Sequence, residues 1–350
     1  MALDSGFWRG RRVFLTGHTG FKGAWMLCVL KALGADVTGY ALDPPTDPSL
    51  FALMGLERAC THIVADIRDL AALEAAMMRA APEIVIHMAA QALVRDSYQR
   101  PVETYAVNVM GTVHVMDVCR RLPSVRSAVM VTTDKCYENV GWIWGYRESD
   151  RLGGHDPYSN SKAAAELTVS AYRDSFLAER GVHLASARAG NVIGGGDFAA
   201  DRLVPDAMRA FMAGEPLMVR NPLAVRPWQH VLEPVIGYLT LAQQLHAEPS
   251  LATGWNFGPA IEENIPVGTV ARELASLWGE GAEWRQDPAE HPHEAHTLKL
   301  DSTKARIELG WAPQLTIHQA LQLTAEWYKA YHRGGDVGAV CERQVRQFLG

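Results

Sequence analysis

The stretch Arg12 to Gly23, RVFLTGHTGFKG, carries a short β-forming run into three glycines spaced three apart, Gly17, Gly20 and Gly23. It predicts a strand over Arg12–Thr16 and a helix over Lys22–Leu33 that stops at Gly34. Working outward, the same alternation continues. Strands are predicted at Val37–Leu42, His62–Ala65, Ile84–Met88, Ala128–Thr133 and Leu184–Arg188. Helices are predicted near Leu70–Ala81, Tyr98–Leu122 and Ser159–Arg180. Short β-rich runs separated by longer helical patterns are the signature of parallel βαβ units, so the fold class is α/β with a doubly wound parallel sheet. After Gly190 the texture breaks into Gly, Pro, Asp and Trp, as in NVIGGGDFAADRLVPD and VRNPLAVRPWQHV. This predicts a Rossmann domain over 1–190 to which the chain returns around 227–255. A smaller α-rich lobe is expected over 191–226 and 256–330, with a tail at 331–350.

Glycines between a strand and a helix let the backbone approach a pyrophosphate closely, and the helix N-terminus offers donors and positive potential. Asp43 stands 20 residues after Gly23, at the end of the second predicted strand. An acid there accepts both adenosine ribose hydroxyls and repels a 2′-phosphate, which favours NAD over NADP. The loop residues Gly17, His18, Thr19, Gly20, Phe21 and Gly23 are therefore candidate cofactor contacts. Asp66 and Ile67 follow the third strand and are candidates for the adenine; Asp66 reads equally well as a helix cap. Ala89, Ala90 and Gln91 end the fourth strand with mostly small side chains, against which a dinucleotide can lie, and Asn108 completes the candidate set.

The totals narrow the partners. The 350-residue chain is 48% hydrophobic with a formal charge of −6, which suits a packed core and argues against nucleic acid or an anionic membrane as partner. Five scattered cysteines with no CxxC pair indicate neither a disulfide framework nor a zinc site and suit a reducing cytoplasm. No apolar run of about 18 residues is present, and the N-terminus lacks the apolar segment of a signal peptide. No metal is expected: His291-Pro-His-Glu-Ala-His296 is spaced as a loop.

Two motifs carry chemistry. In Asp156-Pro-Tyr-Ser-Asn-Ser-Lys162, Tyr158 and Lys162 share one face of a helix start. A phenol titrates near about 10 and is a poor base at neutral pH, but neighbouring positive charge favours the phenolate. In Val131-Thr-Thr-Asp-Lys-Cys-Tyr137 a buried strand ends in Thr133, an acid and an amine. Thr133 can hydrogen-bond a substrate hydroxyl.

Together GxxGxxG, the Tyr158-x-x-x-Lys162 helix, Asn191 in RAGNVIG and Arg226 in RPWQHV resemble the extended branch of the short-chain dehydrogenase/reductases, which acts on nucleotide sugars. The resemblance extends to the C-terminal LGWAPQLTIHQALQLTAEWY. It implies that the residues after Thr133 separate the chemistries. Epimerases carry small residues there, whereas 4,6-dehydratases carry an acid, here Asp134, to protonate a departing C6 hydroxyl. Most follow the acid with glutamate as the base at C5, and this chain departs with Lys135. Lysine can take that proton only when neutral; otherwise Lys135 serves to orient Asp134 or a sugar oxygen. The Asp-Lys pair, with GHTGFKGAW and YALDPPTDPSLF, is similar to the branch that acts on CDP-glucose. The resemblance places Asn191 and Arg226 at the sugar and diphosphate. Arg202 and Arg220 are further candidates for the diphosphate, or surface ion-pair partners. Leu203 is expected against the base, and His291 or His293 is expected where relatives use an arginine. It also implies a homodimer or homotetramer, packed through the helices near Tyr98–Leu122 and Ser159–Arg180.

Overall fold

A computed structural model describes residues 3–289 and 296–350. Its central sheet has seven parallel strands. They are β1 (Arg12–Thr16), β2 (Asp36–Ala41), β3 (Thr61–Val64), β4 (Ile84–His87), β5 (Ser127–Val131), β6 (His183–Ala189) and, after the smaller strands β7 (Asn191–Ile193), β8 (Leu217–Val219) and β9 (Val225–His230), β10 (Gly254–Phe257). They lie in the order β3-β2-β1-β4-β5-β6-β10. The order reverses direction between β1 and β4, the switch point where such sheets bind ligands.

A strand buried on both faces reads as a continuous apolar run, and the sheet shows why. Along β1 and β4, Val13, Leu15, Ile84 and Ile86 pack into one core layer, while the alternating Phe14 and Val85 pack into the other. The helix Phe21–Ala32 and the helix Leu232–Leu245 cover the first face. Both are buried around much of their circumference. The helix Val337–Leu349 packs back onto Phe21–Ala32 and onto Ile317–His332. The stretch expected as a tail is thus a docked helix. Its apolar Val337, Val340, Cys341, Val345 and Phe348 repeat at helical spacing and are buried. The second face carries the helices Leu70–Ala80, Gly111–Cys119 and Pro157–Tyr172.

The smaller lobe holds a three-stranded sheet in which β9 lies between β7 and β11 (Asn264–Pro266), a two-stranded β8–β12 pair (β12, Trp284–Gln286), and the helices Leu203–Met212, Val267–Trp278 and Ile317–His332. Two predicted helices are interrupted. The one expected over Tyr98–Leu122 breaks at Arg100, where φ is −127° and ψ is 58°, and restarts with Pro101 at its first position. It then widens into an i→i+5 turn at Ala106–Met110. The helix begun at Pro157 widens likewise at Arg173–Leu177. The strand expected to reach Thr133 ends at Val131, and the chain turns at once into a 3-10 turn, Asp134–Cys136.

Among the described residues no helix is long and apolar enough to cross a membrane. No group of three or more His, Cys, Asp or Glu side chains among them could hold a metal ion.

Candidate active site

The C-terminal strand ends open onto one cleft of about 1700 Å³, walled on its far side by the smaller lobe. Its floor is backbone. Gly17 adopts φ +74°, and a Cβ there would stand 2.6 Å from the amide nitrogen of Ala89, so β1 and β4 approach as only glycine permits. A Cβ on Gly23 would lie 2.1 Å from the Gly17 carbonyl oxygen. Gly20 is different: its nearest neighbour would be 3.5 Å away, and it caps the helix Phe21–Ala32 without a side chain. The helix start at the cleft thus has no side-chain cap on its first amides, a geometry that can hold an anion. Thr19, Phe21, Asp43, Ile67, Ala89, Ala90 and Gln91 line the same floor.

Two predicted cofactor residues have side chains turned from the cleft, and for Asp66 the helix-cap alternative fails. His18 is fully buried and turned away from the cleft, with Nε2 2.7 Å from His62 Nδ1 and its ring edge-on to Phe51. Burial, and then His62, draw its pKa down to about 4. Its side chain is packing under the loop, so any cofactor contact from this position would come from the backbone. Asn108 is also fully buried and does not line the cleft. Its Oδ1 accepts from the Gln91 amide at 2.9 Å, and its Nδ2 donates to the Gln91 carbonyl at 3.0 Å and to Ser161 Oγ at 2.9 Å. It fixes the backbone of Gln91 and ties it to the helix of Tyr158. Asp66 lines the cleft but caps no helix: Asp69 caps Leu70–Ala80, while Asp66 takes the Arg68 amide at 2.8 Å and its guanidinium at 2.5 Å.

Opposite stands the Tyr158 helix. Asp156 caps it through the Ser159 amide at 2.9 Å, Pro157 occupies its first position, and the Tyr158 amide donates to Ser97 Oγ at 3.1 Å. Tyr158 and Lys162 both line the cleft and both are buried. Burial pushes the Tyr158 phenol up to about 12, against a hydrogen bond with Thr133 and the charge of Arg202, which draw it down. Lys162 is drawn down to about 8 by burial, with the Glu166 carboxylate opposing. The polypeptide alone therefore keeps the phenol protonated at neutral pH.

At the end of β5, Asp134 is fully buried behind the cleft wall rather than in its lining. Its Oδ1 accepts from Thr133 Oγ1 at 3.0 Å and lies 3.6 Å from Lys135 Nζ. Its Oδ2 has no hydrogen-bond partner among the described residues and faces Gly190, where a Cβ would come within 3.1 Å of it. Lys135 lines the cleft with its side chain 31% exposed. In this geometry it is an ion-pair partner of Asp134, and service as a base requires that contact to part.

Asn191, Arg202, Leu203, Arg220 and Arg226 line the wall contributed by the smaller lobe. Asn191 Oδ1 is buried without a partner among the described residues. Arg202 pairs with the buried Asp197 at 2.9 Å, Arg220 with Asp201 at 3.4 Å, and Asp201 also reaches Arg95 across the cleft at 3.2 Å. Arg226 donates to the Val225 carbonyl at 2.9 Å. His291 and His293 lie outside the described residues.

Sequence reasoning missed Lys22. It lines the cleft in the middle of the glycine loop, with Nζ 3.5 Å from the Tyr238 hydroxyl. Burial, then the charges of Arg202 and Lys162, bring it down to about 7. The clue was a lysine inside GHTGFKG, where most positions are small or apolar. Trp228 also lines the cleft, with its buried Nε1 unpartnered among the described residues.

A doubly wound sheet with this loop and a Tyr-x-x-x-Lys helix at its C-terminal edge defines an extended short-chain dehydrogenase/reductase. Residues 14–324 match the GDP-mannose 4,6-dehydratase family, and the chain belongs to it. It is 48% identical over 353 residues to the CDP-glucose 4,6-dehydratase of Salmonella typhimurium, covering 99% of this chain and 98% of that one. Among solved structures it resembles the dTDP-glucose 4,6-dehydratase of Bacillus anthracis in complex with NAD, with a TM-score of 0.76 and 20% identity over 93% of this chain and 98% of that one. It also resembles the Thermus thermophilus UDP-glucose 4-epimerase complex with NAD, with a TM-score of 0.79 and 25% identity over 91% of this chain and 99% of that one.

Proposed function

We propose that this chain is a hydro-lyase that converts CDP-glucose to CDP-4-keto-6-deoxyglucose with catalytic NAD. The observation that carries this reading is Asp134: a buried carboxyl with one oxygen unpartnered among the described residues, set beside Thr133 at the end of β5. Epimerisation has no use for an acid there, and loss of water does. The 48% identity to a CDP-glucose 4,6-dehydratase supports the same substrate.

The residues present fit NAD. Gly17 and Gly23 leave backbone room that any Cβ would fill, the helix start at Phe21 offers its amides to the diphosphate, and Asp43 stands where the adenosine ribose would be held. Bound there, NAD supplies the acceptor for the C4 hydride and its donor back to C6. Tyr158 takes the proton of the C4 hydroxyl, with Thr133 beside it. The phenolate form needs more positive charge than Arg202 alone gives, and a nicotinamide cation would add it. Lys162, held as an ammonium, favours the same form. Oxidation at C4 acidifies the C5 proton; Lys135 removes it as the neutral amine left once its own proton has passed to Asp134 and their contact has parted, or orients the sugar for its removal. Asp134, as the carboxylic acid so formed, turns from behind the cleft wall and delivers its proton to the departing C6 hydroxyl. Arg202, Arg220 and Arg226 offer guanidinium forks to the diphosphate, Asn191 contacts the sugar, and Leu203 lies against the cytosine.

The same reading carries a homodimer. Val102 is 82% exposed, and Tyr98, Met110, Leu167 and Phe176 are exposed on the two helical segments expected to pair; light scattering would report the mass. The cytoplasm suits the five unpaired cysteines. The test incubates the protein and NAD with CDP-, dTDP-, UDP- and GDP-hexoses, without added reductant, and follows the alkaline absorbance of a 4-keto-6-deoxy sugar. Product from CDP-glucose alone is expected, with deuterium placed at C4 recovered in the new methyl group. Turnover of another nucleotide sugar in preference would overturn the substrate, and deuterium lost to solvent would overturn the mechanism.

A further inference from the structure

Behind the Tyr158 helix lies a buried ion pair that the chemistry above does not use. Glu166, one helical turn beyond Lys162, is 4% exposed, and Arg188 on β6 is 5% exposed. Arg188 Nη2 donates to Glu166 Oε2 at 2.7 Å, Ser186 Oγ donates to the same oxygen at 2.6 Å, and Thr132 Oγ1 donates to Oε1. Arg188 Nη1 also donates to the Tyr137 hydroxyl at 2.7 Å, and that hydroxyl donates to Asn256 Oδ1 at 2.7 Å. The carboxylate is thus gripped from β5, β6 and, through Tyr137, β10.

Burying an ion pair is costly, and an apolar pair of similar size would often serve stability as well or better. A stability role does not explain its place. We propose that Glu166 is a positioning residue of the reaction: fixed by Arg188, Thr132 and Ser186, it presents a carboxylate one helical turn from Lys162 and keeps that side chain an ammonium. Lys162 needs such help. Its burial favours the neutral amine, and the other groups facing it are Cys136 from the β5 turn, His87 from β4 and Lys22 from the glycine loop. Burial keeps Cys136 a neutral thiol and His87 a neutral imidazole, while Lys22 adds like charge. Glu166 stays ionised: burial works against it, but Arg188 and the two hydroxyls hold it below the usual carboxylate range.

The inference rests on the Tyr158–Lys162 reading, so its deciding readout is independent of turnover. In the NAD-bound protein labelled with 13C at lysine Cε, the Lys162 resonance is identified by its loss in Lys162→Arg and titrated by NMR. Glu166→Gln should lower its midpoint by about one pH unit, and Arg188→Gln, which removes the charge that holds Glu166 ionised against burial, should lower it in the same direction. Should a single variant fail to fold, Glu166→Gln/Arg188→Met removes both charges together, leaves neither buried alone, and should lower the midpoint as Glu166→Gln does. A shift below about half a unit in the variants that fold would overturn the proposal, whatever their effect on Tm. Where the wild type turns over CDP-glucose, the alkaline limb of kcat/KM should move with the midpoint and be absent in Lys162→Arg. Absent turnover with a shifted midpoint would fail the dehydratase reading and leave this one standing.

Discussion

The ends of β1 and β4 and the end of β5 lie side by side at one cleft and are built on opposite terms. At β1 and β4 the site is backbone: Gly17 and Gly23 matter for what they lack, and the interatomic room is already below 3 Å for an added Cβ. At β5 it is side chain: Asp134, Lys135, Tyr158 and Lys162 matter for charges that compete with burial and with one another. The first kind of site is steric and tolerates almost no change. The second is electrostatic, and each change has a sign that depends on pH.

Gly23→Ala should break this comparison most severely, because its Cβ would meet the Gly17 carbonyl and no flexible side chain can give way. NAD affinity should fall by about 100-fold or more, while Gly20→Ala, with nothing nearer than 3.5 Å, should stay within about threefold. Calorimetric titration of NAD into both variants checks the contrast. Tyr158→Phe should come next, with loss of proton transfer costing about 10²–10⁴ in kcat. Its NAD affinity should be near wild type, because the steric half is untouched. Asp134→Asn should sharpen the picture. Elimination should slow by about 10²-fold while C4 oxidation slows less, so the reduced cofactor accumulates and is read by its absorbance in a single turnover. Lys135→Ala should show the same bias.

Lys22 belongs to both halves, a charge in the steric loop, and gives the smallest effect. Its folded pKa, about 7, lies below the ordinary 10.5. Between those values the unfolded chain binds more protons, so stability rises with pH over that window and is flat with respect to this group below it. Lys22→Met should remove this rise and lift Tm at pH 7 by a few degrees, measured by calorimetry from pH 6 to 9.

The glycine floor was legible because its cause is local. A strand, three glycines and an acid 20 residues on define a binding geometry before any tertiary contact forms. Tyr158 and Lys162 were legible for the same reason, being four apart on one helix. What could not be read was direction. His18 lies between Gly17 and Thr19 yet turns inward, because Gly39 leaves a hollow for its ring: a Cβ on Gly39 would stand 2.6 Å from it. Asp134 and Lys135 are neighbours in the chain, but the turn after Val131 buries one and leaves the other at the cleft. Lys22 was overlooked because its importance comes from Tyr238 and Arg202, some 200 residues away.

From its sequence alone this protein is an α/β chain with a dinucleotide loop, an acid suited to NAD and a tyrosine–lysine helix, since each of these depends on spacing within one or two elements. Tertiary structure alone decided which charges share low-dielectric space: Asp134 against Gly190, Glu166 against Arg188, Lys22 under Tyr238. The reason is physical. Conformational preference acts over a few residues, whereas burial and Coulomb energy depend on which strands the fold sets side by side.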